Sequence, residues 1–303
     1  MQKIIRIGTR ESQLAVWQAS LVKSQLESKG FGAELVYIKS EGDIDLSTPL
    51  YEMGVQGIFT RSLDIALLGN RIDLAVHSMK DVPTQLPDGI QQAAVLKRGP
   101  IHDLLVFKNN ADFLAAHEGI ADIATSSIRR KAQWLHRYPR HRIHNLRGNV
   151  NTRLKKLHAE NWNAAIFALA GLERIGLRPE TSLVLDWMLP APAQGAIMVA
   201  CRSSDEAAFE AANSLNDPET ALCTKAERDF LRTLMGGCST PISAYASIES
   251  GVLKFKGSIL STDGKQIAEI ETGGNPDAST EIGKKAAFEL LANGGKAIAD
   301  SMK

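Results

Sequence analysis

From residue 4 to residue 78, short apolar runs alternate with longer amphipathic stretches, and no other feature restricts the fold of this chain so tightly. IIRIG (4–8), AELVYIKS (33–40) and IDLAVHS (72–78) are short and bounded by polar or turn residues, so they read as strands. Between the first two, ESQLAVWQASLVKSQLESKG sets Leu14, Trp17, Leu21 and Leu26 along one helical face and stops at Gly30. GIFTRSLDIALLGN (57–70) reads as a second helix. Strand–helix–strand succession of this kind implies parallel or mixed sheets covered by helices.

A second set begins near residue 100, after the turn KRGP. ADIATS (121–126) and RIHNLRG (142–148) read as strands, IRRKAQWLHRY and NTRLKKLHAEN as helices, and AAIFALAGLERIG as a strand running into a short helix. LPAPAQGAIMVACR (189–202) reads as a hinge followed by a strand that returns to the first sheet, since one strand cannot found a domain. From Pro218 a long helix leads into a stretch that alternates apolar and polar residues, with turn signals at ESG and TDG. That is an antiparallel meander, closed by the helix STEIGKKAAFELLANGG. The expected class is α/β with a smaller C-terminal α+β domain. The expected domains are 1–97 with 196–215, then 100–192, then 218–303.

Composition removes several functional classes. Net charge is +1, so the whole molecule offers no electrostatic case for nucleic acid or a membrane surface. The cysteines are Cys201, Cys223 and Cys238, with no CxxC pair, so neither a disulfide framework nor a zinc knuckle is expected. The first residues hold too short an apolar run for a signal peptide, and no run reaches the roughly 18 apolar residues of a membrane span; a cytoplasmic location is expected. A phosphate-binding GxxxxGK loop, GxGxxG and HExxH are all missing, and no metal is expected.

Charge is distributed locally. Ile123 to Ala159 contains no Asp or Glu but many arginines, lysines and histidines. Lys155, Lys156, Arg137 and Arg140 read as a solvated face. Others stand at strand–helix junctions. TSSIRR places Thr125, Ser126 and Ser127 before a helix with Arg129 and Arg130 in its first turn. NLRGNVNTR places Arg147 at a strand end, Gly148 where close approach is allowed, and Arg153 near a helix start. Arginine opposes the helix dipole there, an arrangement that a negative ligand offsets. GTRES offers Arg10 and Ser12, and AGLERIG offers Arg174. Ligands of open α/β sheets bind outside the carboxyl ends of strands, and arginine suits carboxylate or phosphate, so a polyanionic ligand is expected. Nucleic acid is disfavoured because only Trp134 and Tyr138 lie nearby and no recognition pattern accompanies them.

The remaining junction, HSMKDVP, holds Lys80 and Asp81. There an acid stands within an otherwise uncharged or basic motif. Asp81 reads either as a cap or ion-pair partner of Lys80, or as a carboxylate that faces a cation or a protonated amine. Cys238, in the loop MGGCSTP, reads either as an inert thiol or as an accessible reactive one. Cys201, in a strand, and Cys223, in a helix, read as core or surface residues.

Taken together, RIGTRESQLAVWQ, AVHSMKDVP, ATSSIRRKAQ, NLRGNVNTRL, ALAGLERIGL, PAPAQGAIMVACR and GGCSTPISAYA resemble the porphobilinogen deaminase family in order and spacing, over essentially the whole chain. The resemblance implies two α/β domains like those of type II periplasmic binding proteins and a third, smaller domain. It implies head-to-tail condensation of four porphobilinogen molecules with loss of ammonia. It further implies a dipyrromethane cofactor held by a thioether to Cys238, with Asp81 catalytic. Lys80, Ser78, Asp81, Thr125, Ser127, Arg129, Arg130, Arg147 and Gly148 would face the cofactor. Arg10, Ser12, Gln18, Arg147, Arg153, Arg174 and Gln194 would face substrate. A monomer whose partner is the small-molecule substrate is implied, without nucleic acid or membrane. Three positions depart from the family's usual residues: Glu41, Gln56 and Ala193. The competing reading, a solute-binding protein for a carboxylated ligand, leaves the third domain and Cys238 without a role.

Overall fold

In a computed structural model of the chain, the described residues are 4–39, 60–115, 119–234 and 240–302. They fall into two compact units. Among the described residues, one covers 4–39, 60–99 and Gly195–Ala221; the other covers Pro100–Gln194 and the chain from Leu222 onward.

The first unit contains β1 (Ile5–Thr9), α1 (Gln13–Ser28), β2 (Ala33–Tyr37), α2 (Arg61–Leu68), β3 (Leu74–Ser78) and β4 (Ile90–Val95). The second begins with β5 (Asp103–Phe107), β6 (Asp122–Ala124), α3 (Ile128–Arg137), β7 (Arg142–His144), α4 (Val150–Ala159), β8 (Ala164–Ala168), α5 (Leu169–Glu173) and β9 (Ser182–Leu185). The chain then returns to the first unit as β10 (Ile197–Arg202) and α6 (Glu206–Asn213). α7 (Pro218–Thr233) leads to β11 (Ile242–Glu249), β12 (Val252–Leu260), β13 (Ile267–Gly274), α8 (Ser279–Leu290) and α9 (Lys296–Asp300).

Both five-stranded sheets follow one plan. The first has the order β2-β1-β3-β10-β4, with β2, β1 and β3 parallel and β10 antiparallel to both its neighbours. The second has the order β7-β6-β8-β5-β9, with β7, β6 and β8 parallel and β5 antiparallel to both its neighbours. In each sheet the antiparallel strand is the one formed as the chain arrives from the other unit. An antiparallel strand delivers its first residue to the edge where the parallel strands end. Asp103 therefore pairs with Ala168 at the end of β8, and Ile197 with Ser78 at the end of β3.

Each sheet buries its own apolar set. Ile7, Val22, Leu26, Leu74 and Val199 form the first core; Leu104, Ala124, Leu157 and Phe167 pack on one face of the second sheet, and Leu105, Ile123, Trp134 and Ile166 on the other. The third sheet, β11-β12-β13, is antiparallel as its alternation predicts and packs on α7 and α8 around Phe230 and Phe255. Gly257 permits that packing, since a Cβ there would lie 2.5 Å from the Phe230 ring. The ESG turn is the two-residue hairpin loop Ser250–Gly251, both with positive φ, as a tight hairpin requires.

The strand at 197–202 does return to the first sheet. Other elements escape sequence reading. β4, β5, β9 and α6 lack a legible period: DLLVF and SLVL are brief, and EAAFEAAN has no large apolar stripe. β7 is also shorter than the expected 142–148. Beyond His144 the backbone leaves the ladder: Leu146 N–H donates to Ser126 Oγ (2.8 Å), and Gly148 turns at φ +111°.

Candidate functional site

β1 and β3 are parallel neighbours, so GTRES and HSMKDVP leave the first sheet at one edge. Ser12 caps α1, its Oγ accepting the Ala15 N–H at 3.4 Å, and Arg10 is half-buried. Gln18, buried in α1, donates from Nε2 to Ser78 Oγ at 2.9 Å. His77 is buried, and that burial together with the charge of Arg10 pushes its pKa down to about 4. The turn Met79–Asp81 is pinned at both ends. Met79 N–H donates to Ala196 O (3.0 Å) and Val82 N–H to Met79 O (3.1 Å), and both side chains are buried. An inward–outward pattern follows from that pinning: Lys80 is half-buried and Asp81 is exposed at the edge.

In the second unit the junctions after β6, β7 and β8 also share one edge. Buried Thr125 accepts the Ser127 N–H at its Oγ1 (3.2 Å), and Ser127 caps α3. Arg147 is buried. A Cβ on Gly148 would lie 2.7 Å from the Thr152 methyl, so its positive φ and close approach both demand glycine. Asn149 caps α4 and Arg153 Nε donates to Gly148 O (2.7 Å). Arg174 follows α5, and burial lowers its pKa to about 10.

Arg129 and Arg130 are 4% and 6% exposed, and both close on a residue outside the expected set, Asp103. Asp103 Oδ1 accepts from Arg130 Nε (3.1 Å), Arg130 Nη2 (2.7 Å) and Gln194 Nε2 (2.9 Å); its Oδ2 accepts from Arg129 Nη2 (2.7 Å). Arg129 Nη1 donates to Leu189 O, Arg130 Nη1 to Ile166 O and Gln194 Nε2 also to Ile101 O. Burial pulls the Arg129 pKa down, and the Asp103 carboxylate opposes that shift. Two buried cations thus share one anion. Asp81 is therefore not the lone acid at these junctions: Glu11 and Glu173 stand beside Arg10 and Arg174 in the sequence, and Asp103 meets Arg129 and Arg130. The acid-free stretch begins at 123 and the arginine-bearing junctions follow parallel strands, whereas Asp103 opens an antiparallel one. An acid at the head of an apolar run, DLLVF, was the available signal.

Arg137 is exposed, as a solvated face requires, with its guanidinium 4.7 Å from the Trp187 ring centre. Trp134 and Tyr138 are core residues; Tyr138 stacks on His141, and Trp134 lies tilted against both rings. Cys201 and Cys223 are buried. Ala193, one of the unusual positions, adopts φ +61° and is buried; its N–H donates to Glu227 Oε2 (2.6 Å), while Glu227 Oε1 accepts the Ala246 N–H (2.8 Å). Cys238, Glu41 and Gln56 lie outside the described residues. Among the described residues no group of three His, Cys, Asp or Glu is placed to hold a metal, and no helix is long and apolar enough to cross a membrane.

Residues 5–210 match the family model "Porphobilinogen deaminase, dipyromethane cofactor binding domain", and residues 221–292 match "Porphobilinogen deaminase, C-terminal domain". The porphobilinogen deaminase of Pelobacter propionicus is 41% identical over 98% of this chain and 97% of its own. The chloroplastic porphobilinogen deaminase of Oryza sativa subsp. japonica is 43% identical over 99% of this chain and 87% of its own. Among solved structures, the methionine-binding protein MetQ is 13% identical with a TM-score of 0.44, covering 70% of this chain and 89% of that one, a likeness too slight to bear on function. Two matched models that between them span most of the sequence, and relatives above 40% identity over nearly all of it, place the chain in the porphobilinogen deaminase family.

Proposed function

We propose that this chain is itself a porphobilinogen deaminase, a transferase of tetrapyrrole biosynthesis. It joins four porphobilinogen molecules head to tail with release of ammonia and frees linear hydroxymethylbilane with water. The observation that carries this reading is the cation excess at the second sheet's edge. Arg129 and Arg130 share Asp103, and Arg129 Nε is buried with no acceptor among the described residues. Dipyrromethane bears acetate and propionate groups, and carboxylates are what such donors lack. The residues present fit the group.

Arg129, Arg130, Arg147, Gly148, Thr125 and Ser127, with Ser78, Lys80 and Asp81, would hold the cofactor, and Cys238 would anchor it through a thioether. When bound, it supplies the free pyrrole position from which the product chain grows. Arg10, Ser12, Gln18, Arg147, Arg153, Arg174 and Gln194 bind the substrate's carboxylates and orient it. Asp81 faces the positive charge that develops as ammonia departs and passes a proton toward the leaving amine. The exposure of Asp81 on a pinned turn supports that role, since an anchored carboxylate does not reorganise when charge appears. The separate core of the third sheet supports the division into 1–97 with 196–215, 100–192 and 218–303. The reading includes a cytoplasmic monomer that engages neither nucleic acid nor membrane.

Intact mass spectrometry of the purified protein tests the reading. We expect a mass increment of two linked pyrrole units, absent in Cys238→Ser, together with consumption of porphobilinogen and release of ammonia. Active protein of unmodified mass would overturn it. Asp81→Ala should keep the increment and lose at least about 100-fold in turnover; near-normal turnover would remove Asp81 from catalysis.

A further inference from the structure

We propose that Asp103 is a positioning residue for this reaction: it fixes Arg129, Arg130 and Gln194 in the geometry that receives the cofactor's and substrate's carboxylates. The inference rests on the proposed function, and it adds a residue that no motif marked.

Three observations carry it. First, Asp103 is fully buried and accepts four hydrogen bonds from three side chains, so it sets the orientation of all three. Second, those side chains come from separate places in the chain: α3 supplies the two arginines, and Gln194 comes from the segment that precedes β10. Third, among the described residues the cluster is one anion short of balance. Asp103 holds two neighbouring guanidiniums together against their repulsion but leaves net positive charge for a ligand. A purely structural pair would be balanced.

Asp103→Asn conserves shape while replacing acceptor oxygen with an NH2 donor that faces guanidinium N–H groups. We expect the cofactor-loaded fraction, read by intact mass, to fall at least about fivefold. In the loaded fraction we expect KM for porphobilinogen to rise at least about tenfold, with kcat changed less. Asp103→Glu, which keeps the charge, should recover part of the KM change. A merely structural role would lower yield and Tm while the folded, loaded enzyme kept its KM. If Asp103→Asn does not fold, Asp103→Asn with Arg130→Gln restores the original net charge and is read in the same way. Wild-type KM and full loading in either folded variant overturns the inference. The two readings fail separately: wild type without the pyrrole increment and without turnover sinks the proposed function. Wild type that has both, beside variants that match it, sinks only the role of Asp103.

Discussion

Each sheet carries a cluster of two arginines, and the two clusters differ in balance. In the first unit Arg6 lies in β1 and Arg202 ends β10, at the edge where the parallel strands begin. Arg6 donates to Asp73 from its backbone N–H, Nε and Nη2, each at 3.0 Å. Arg202 Nη2 donates to Asp73 (3.0 Å) and to Asp205, and its Nη1 takes the carbonyls of Leu67 and Ile72. Two cations meet two carboxylates. In the second unit Arg129 and Arg130 lie at the opposite kind of edge, where parallel strands end, and meet one carboxylate. Arginine content alone does not mark a binding site. On the function proposed above, charge balance at the correct edge does: the balanced cluster would close a framework, and the unbalanced one would be completed by a ligand.

Arg202→Leu gives that comparison its most severe trial. It removes at once the hydrogen bonds to Asp73, Asp205 and the Leu67 and Ile72 carbonyls, with Arg6 still holding Asp73, and should cost about 3–5 kcal/mol of stability, while the folded enzyme keeps its KM. Equilibrium urea unfolding and steady-state kinetics read the two quantities; a tenfold change in KM would erase the distinction between the clusters. Next in size is an effect of pH. Unfolded His77 takes a proton near its ordinary 6.5, but folded His77 does so only near 4. Between those values the unfolded chain binds more protons, so the stability is fully present above pH 6.5 and is lost as pH falls toward 4. The loss is on the order of 3 kcal/mol and should vanish in His77→Gln. An unchanged pH profile in that variant would show that His77 is not held neutral. The smallest effect concerns Ala193. Its left-handed backbone should make Ala193→Gly stabilising by about 1 kcal/mol in urea unfolding. A destabilised variant would mean that the methyl's packing outweighs the strain.

Much of the site was legible before any coordinates. Strand ends are marked by apolar runs that stop at polar residues, so Arg10, Asp81, Arg129, Arg147 and Arg174 could be placed at junctions from local pattern. The anchoring of HSMKDVP through Met79 and Val82 is seen only in the structure. What stayed hidden depends on pairing between distant segments. No local signal says that β5 runs antiparallel beside β8, and only that pairing brings Asp103 to the arginines. Nor does spacing reveal that Gln194 reaches the same carboxylate, or that Glu227 holds the strained Ala193. Helix α6 was missed because its buried face is alanine, which carries little periodic contrast.

The central claim is that the unbalanced arginines hold a carboxylate-bearing cofactor. Intact mass spectrometry of folded Arg129→Leu beside wild type measures this most directly. Wild type should carry the increment of two linked pyrrole units and the variant should lack most of it, with Arg130 still paired to Asp103 and the fold retained by circular dichroism. A folded Arg129→Leu bearing the full increment would contradict the account.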